Sequence, residues 1–217
     1  FIILGGPMTD FSVGASHSTG SGESIESLMQ TVEQMPDSAS AHYNLGLALS
    51  RDGKLDESLA EFKKALKLKP GMLEARINMA AILLQKGDHD GCIQESLRAL
   101  EFRPDLVEGC INIGIAFMAK GNFDQAIHSL EKALTLEPDN LVAHINLGNA
   151  YLSLGNIDKS IEHNLKSVSI KPSFGMAHNN LAVSFSHKGD HEKAKFHADE
   201  ALNCGYKVHP DFLRQLP

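Results

Sequence analysis

PDSASAHYNLGLALSRDGKLDESLAEFKKALKLKP, residues 36–70, carries two apolar patterns of helical spacing on either side of one glycine and closes on a second proline. Leu45 and Leu49 lie four apart before Gly53, and Leu59, Phe62 and Leu66 follow it at intervals of three and four. That period is helical, so the stretch predicts two helices joined at Asp52-Gly53. The glycine ends the first helix because a left-handed residue is needed there. The proline cannot continue the second, and Asp37 or Ser38 beside Pro36 supplies an oxygen for the incoming amide groups.

The same punctuation returns at a fixed interval of 34 residues: Pro36, Pro70, Pro104, Pro138 and Pro172, with Gly53, Gly87, Gly121, Gly155 and Gly189 in step. Ile113 and Phe117, then Leu147 and Tyr151, repeat the first apolar pattern, and Ile127, Leu130 and Leu134 the second. Asn or Asp follows four of the five glycines, and Asp105, Asp139 and Ser173 flank later prolines, so caps are expected at both kinds of junction. A hairpin of this length cannot bury its apolar face alone, which predicts stacking of repeats into a solenoid. Small residues recur where helices must approach closely: Gly46, Ala80, Gly114, Gly148 and Ala182, then Ala65, Ala99, Ala133, Ser167 and Ala201.

In Asn44-Leu45-Gly46, Gly53, Phe62, Ala65 and Pro70 the chain resembles the tetratricopeptide repeat (TPR) family, over five consecutive units from about Ser38 to Tyr206. The resemblance implies an all-α, right-handed superhelical α-solenoid, its concave groove lined by the first helix of each pair. The organisation expected is an extended segment over 1–22, a capping helix over 23–37, and five repeats over 38–206. Their bounds are about 39–72, 73–106, 107–140, 141–174 and 175–208, and a C-terminal cap over 207–217 closes the array. Tyr206 replaces the proline at the end of the last repeat, and Phe212 and Leu213 belong to the cap.

The 217 residues leave no room for a second globular domain beside the repeats. A net charge of −7 without a basic stripe argues against nucleic acid as a partner. Cys92, Cys110 and Cys204 show no CxxC spacing and no disulfide framework, which favours a reducing, cytoplasmic compartment, and Cys92 and Cys110 read as small buried residues. The apolar start Phe1-Ile2-Ile3-Leu4 is far shorter than the ~20 residues that span a bilayer. A membrane-anchored assembly factor is the reading if an anchor precedes Phe1. Docking of the Phe1 to Phe11 segment on a solenoid surface, its own or a neighbour's, is a further expectation. His42, His144 and His178 share one column and the eleven histidines do not converge, so no metal or other cofactor is expected. That column reads as a packing position of aromatic size.

Asparagine occupies one column in every repeat: Asn44, Asn78, Asn112, Asn146 and Asn180. A side-chain amide offers a donor and an acceptor, so it can pair with a peptide group whatever the ligand's side chains, or equally with its own repeat. The resemblance places this column on the groove, together with Tyr43, Ile77, Ile111 and Ile145 one residue earlier, Ile115 and Asn149. Because Leu45 and Leu49 already supply a core, the isoleucines are expected to form a second, exposed apolar stripe. The lysine and arginine clamp that some TPR domains use for a C-terminal carboxylate is absent from these columns. No nucleophile elbow, phosphate loop or carboxylate pair is present, so the chain reads as a non-enzyme. A scaffold or adaptor that binds a partner's peptide segment in the groove is the expected function, with a self-associating structural protein as the alternative.

Overall fold

The computed structural model describes residues 23–216, and these are helical apart from short connections. Twelve helices follow in order: α1 (Ile25–Gln34), α2 (Ala39–Arg51), α3 (Leu55–Leu68), α4 (Leu73–Gln85), α5 (His89–Phe102), α6 (Val107–Ala119), α7 (Phe123–Leu136), α8 (Leu141–Ser153), α9 (Ile157–Ile170), α10 (Gly175–Lys188), α11 (His191–Asn203) and α12 (Pro210–Gln215). They fall into two compact units, residues 23–116 and residues 117–216, with the division inside α6. In the N-terminal unit α2 pairs with α3 and α4 with α5, while α1 packs on α2 and α3 on α4. In the C-terminal unit α8 pairs with α9 and α10 with α11, with α7 against α8 and α9 against α10. Pairing of successive helices in this way is the building element of an α-solenoid. Among the described residues no helix is long and apolar enough to cross a membrane. The expected docking of the Phe1 to Phe11 segment lies outside the described residues.

The glycine of every hairpin sits at φ between +76° and +81°. There it completes a six-residue closure: Lys54 N–H donates to Leu49 O at 2.9 Å while Gly53 N–H donates to Ser50 O at 3.1 Å. Carbonyls at the helix end that lack an intrahelical partner are satisfied by this pair of bonds. A sixth closure of the same kind, missed in the sequence, ends α11 at Gly205, where Tyr206 N–H donates to Ala201 O. Helix starts follow the expectation in part. Ser38, Asp88, Asn156 and Asp190 accept from the amide three residues on. At α8 the cap is Asn140 rather than Asp139, because the helix begins one residue later, and Asp139 pairs with Lys166 at 2.8 Å instead. At α10 Phe174, not Ser173, holds the cap position and makes no side-chain bond.

The interiors are those of the sequence pattern. In the N-terminal unit Leu28 of α1 is buried with Leu45 and Leu49, and Leu59, Phe62 and Leu66 cluster with Ala75, Met79 and Ile82. In the C-terminal unit Ile161, Leu181, Phe185 and Ala194 form the cluster against which Leu216, just past α12, packs.

The histidine column does more than fill space. His42, His144 and His178 each direct Nε2 at the carbonyl of the proline six residues earlier, at 3.0, 2.9 and 3.0 Å from Pro36, Pro138 and Pro172. Arg76 in the same column donates Nη2–H to Pro70 O at 3.0 Å. Each then turns its second nitrogen to the helix that closes its own hairpin. His42 meets Glu61 at 2.5 Å and Arg76 meets Glu95 at 2.9 Å, whereas His144 and His178 meet His163 and His197. A buried ring that bridges two elements through both nitrogens replaces the simple packing role expected for the column.

At Gly46 an added Cβ would lie 2.7 Å from the Phe62 ring, which is fully buried. An alanine in mid-helix ordinarily gains about 0.5–1 kcal/mol over glycine. Overpacking costs about 1–3 kcal/mol. Gly46→Ala is therefore expected to lower the urea midpoint, the reverse of the propensity effect, and an unchanged or raised midpoint would contradict the close approach.

Candidate functional site

The asparagine column divides by environment. In the N-terminal unit Asn44 is exposed on α2, and half-buried Asn78 of α4 donates Nδ2–H to the Tyr43 hydroxyl at 3.2 Å. Tyr43 itself packs on Phe62, with ring centres 5.7 Å apart, and burial followed by the nearby Glu74 charge pushes its hydroxyl pKa up. Asn112 of α6 is 2% exposed, and its Nδ2 has no hydrogen-bond partner among the described residues. Its backbone carbonyl accepts the Cys92 thiol at 3.7 Å.

In the C-terminal unit the amides turn inward. Asn146 donates to Val142 O of its own helix at 2.7 Å. Asn180 donates to Asn149 Oδ1 at 2.7 Å and to Asn164 Oδ1 at 3.3 Å. Asn164 in turn donates to Ser160 O at 2.8 Å, and the Ser160 and Ser184 hydroxyls lie 2.9 Å apart. Asn164 was not anticipated as part of this network. Its signal was present in sequence, since it stands 102 residues beyond Phe62, in the column where the first repeat has its aromatic. A Cβ at Gly148 would fall 2.4 Å from Asn164 Nδ2, so glycine is what lets the amide reach this position.

The isoleucines are not displayed as an exposed stripe. Ile77 is 8% exposed, Ile111 1%, Ile115 7% and Ile145 1%. For Ile77 the cause is visible: it clusters with Ala99 of α5 and with Leu106, flanked by Leu73 and Leu100. The helical period identifies a second apolar face but not whether a neighbouring element covers it. Lysine at Ile111 or Ile145 would bury a charge, so such variants perturb the fold as well as any groove. Tyr43 and Asn149, also expected on the groove, are half-buried.

Among the described residues no group of three or more histidine, cysteine or acidic side chains could hold a metal ion. Buried Cys92 has its thiol pKa pushed up to about 12 by burial, so it is protonated and unreactive at neutral pH.

Family models for tetratricopeptide repeats match residues 39–72 and 141–174, and a TPR repeat model matches residues 114–155. The first two matches coincide with the hairpins α2–α3 and α8–α9, and the third runs from within α6 through α8. The chain is a tetratricopeptide repeat protein. No curated protein matches it in sequence. Among solved structures this TPR protein is similar to MamA, at 25% identity and a TM-score of 0.67, covering 74% of this chain and 94% of that one. YrrB, described as a TPR protein with an unusual peptide-binding site, is similar at 20% identity and a TM-score of 0.65, with 83% and 93% covered. A thermophilic TPR protein of Thermus thermophilus is 22% identical at a TM-score of 0.64, with 82% and 97% covered. TPR arrays are in general non-enzymatic scaffolds for protein interactions, and no catalytic family is indicated.

Thiol chemistry distinguishes the cysteines. Half-buried Cys204 is expected to react with a disulfide reagent at pH 8 in the native protein, while Cys92 reacts only after denaturation. Native labelling of Cys92 at a comparable rate, read by peptide mapping, would contradict its burial.

Proposed function

We infer that this TPR protein is an adaptor that holds an extended peptide segment of a partner protein, and that the asparagine column supplies main-chain contacts. The observation that carries this reading is Asn112, whose buried amide nitrogen lacks a partner among the described residues. A buried unpaired donor costs about 1–3 kcal/mol, a cost that a peptide carbonyl would remove once a local shift of the neighbouring side chains admits it. Asn44, exposed, and Asn78, held at the surface by Tyr43, extend the same column in the N-terminal unit. In the C-terminal unit Asn146 and Asn180 are engaged internally and contribute less, with Asn149 tied to Asn180. Ile77, Ile111, Ile115 and Ile145 are buried and are not free anchors for a ligand. YrrB, a TPR protein of similar fold with a peptide-binding site, lends the reading support by analogy.

Peptides selected from a random displayed library against the full chain test it. Asn112→Ala is expected to weaken unrelated selected peptides alike, by roughly threefold to tenfold, the worth of one hydrogen bond. Selection of no peptide, or affinities that Asn112→Ala leaves unchanged, would overturn the reading.

A further inference from the structure

The column that bridges four of the proline junctions is chemically different in the two units, and the difference is one of protons. In the N-terminal unit both partners are acids. Arg76 serves Pro70 O and Glu95 with a permanent charge, and His42 faces two acceptors, Pro36 O and Glu61. Burial alone would raise the Glu61 carboxyl, but hydrogen bonds from Lys64 and His42 outweigh it and hold its pKa below the ordinary value. A depressed carboxyl contributes stability above its unfolded pKa, near 4.3, so its contribution is still present at pH 5.5.

In the C-terminal unit both partners are histidines. His144 Nδ1 lies 3.0 Å from His163 Nδ1, and His178 Nδ1 lies 3.1 Å from His197 Nδ1. The Nε2 of His144 and of His178 is committed as a donor, because it faces a proline carbonyl. One proton fits between two facing Nδ1 atoms. Two do not, since both nitrogens would then be donors aimed at each other. Each folded pair therefore carries at most one positive charge, whereas the same two histidines carry two in an acidified unfolded chain.

The nearby carboxylates Glu131, Glu162 and Glu200 favour the charged form but do not outweigh burial and the partner histidine. His163 stacks on Tyr151 with ring planes 7° apart, and His197 stacks on Phe185 at 2° with Phe196 edge-on. The charged groups acting on His163 among the described residues are Glu131 of α7 and Glu162 and Lys159 of α9; Asp139, which acts on His144, is paired with Lys166. Glu200 and Lys193 of α11 act on His197. Glu131 accepts from the Tyr151 hydroxyl, to which Lys159 also donates. Burial first and the partner histidine second push the pKa of His163 down and that of His197 down to about 4.

We propose that the two stacked histidine pairs make the C-terminal unit an acid-sensitive element that loosens under mild acidification, while the acid-partnered N-terminal unit holds. A histidine kept neutral in the fold contributes stability that is complete above its unfolded pKa, near 6.5, and is lost as the pH falls below it. Each pair loses about a factor of ten in the folding equilibrium per pH unit in that range. In a repeat array, where stability is set locally, the loss is confined to the hairpins that contain the pairs.

Hydrogen exchange of the full chain at pH 7.5 and 5.5, expressed as protection factors, tests this. Protection over residues 141–203 is expected to fall about tenfold or more, with a clearly smaller change over 39–102. The His163→Glu, His197→Glu double variant, which installs the partner found at Glu61, is expected to abolish the fall. Equal loss in both segments, no loss over 141–203, or a loss that persists in the double variant would each overturn the proposal. Should the double variant not fold, NMR titration of the parent decides. One proton taken up per pair between pH 8 and 5 supports the proposal; two per pair refutes it.

Discussion

Five prolines stand at junctions between helices, and at four of them the carbonyl is taken by a side chain six residues ahead: His42, Arg76, His144 or His178. A carbonyl near a helix terminus has no intrahelical donor, and leaving it buried and unpaired is costly. The residue that satisfies it stands in the first turn of the next helix and reaches with its other nitrogen to the helix that closes the same hairpin, 19 residues on. One side chain thereby fixes the angle at which the chain leaves one hairpin and the register of the two helices in the next. The columns on which the small residues meet their partners, such as Gly46 against Phe62, depend on that register.

The repeat length, the glycine closures and most helix starts were legible because they are local: a left-handed glycine, a proline and a capping oxygen act within a few residues. What was not legible is set by contacts between helices. The histidine column looked like a packing position because the sequence does not say what faces the second ring nitrogen; Glu61 and His197 stand in the same relation to their partners and give opposite chemistry. The isoleucines failed for a related reason. Ile77 lies on an apolar face by period, but only the placement of Ala99 and Leu106 shows that the face is covered. Of the asparagines, the column was plain and the division of labour was not. Asn112 retains a spare donor, whereas Asn180 is drawn into a network by Asn149 and Asn164.

The repeats also differ in what fills the centre of each hairpin. The column that begins with Phe62 continues as Ser96, Leu130, Asn164 and Ala198, all of them buried. An aromatic ring under Gly46 and an amide under Gly148 use the same missing Cβ for unlike purposes, one apolar and one polar. A fully bonded polar centre is compatible with a stable interior, and it binds neighbours more selectively than an apolar one because its partners must match in geometry.

That matching carries a consequence for how such an array could be recombined. The links from Gly46 to Phe62, from Ser58 to the Gly46 carbonyl and from His42 to Glu61 all fall between one proline and the next, so a segment exchanged from proline to proline takes these partners along, while the Asn164–Asn180 and Ser160–Ser184 links cross Pro172 and are the ones a new neighbour must match. A crossover at the glycine turn would instead join the first helix of one hairpin to the second of another. It could set His42 against His163, or Gly46 over Asn164 in place of Phe62. The proline is thus the seam at which the polymer is divisible, although the glycine is where the chain visibly turns.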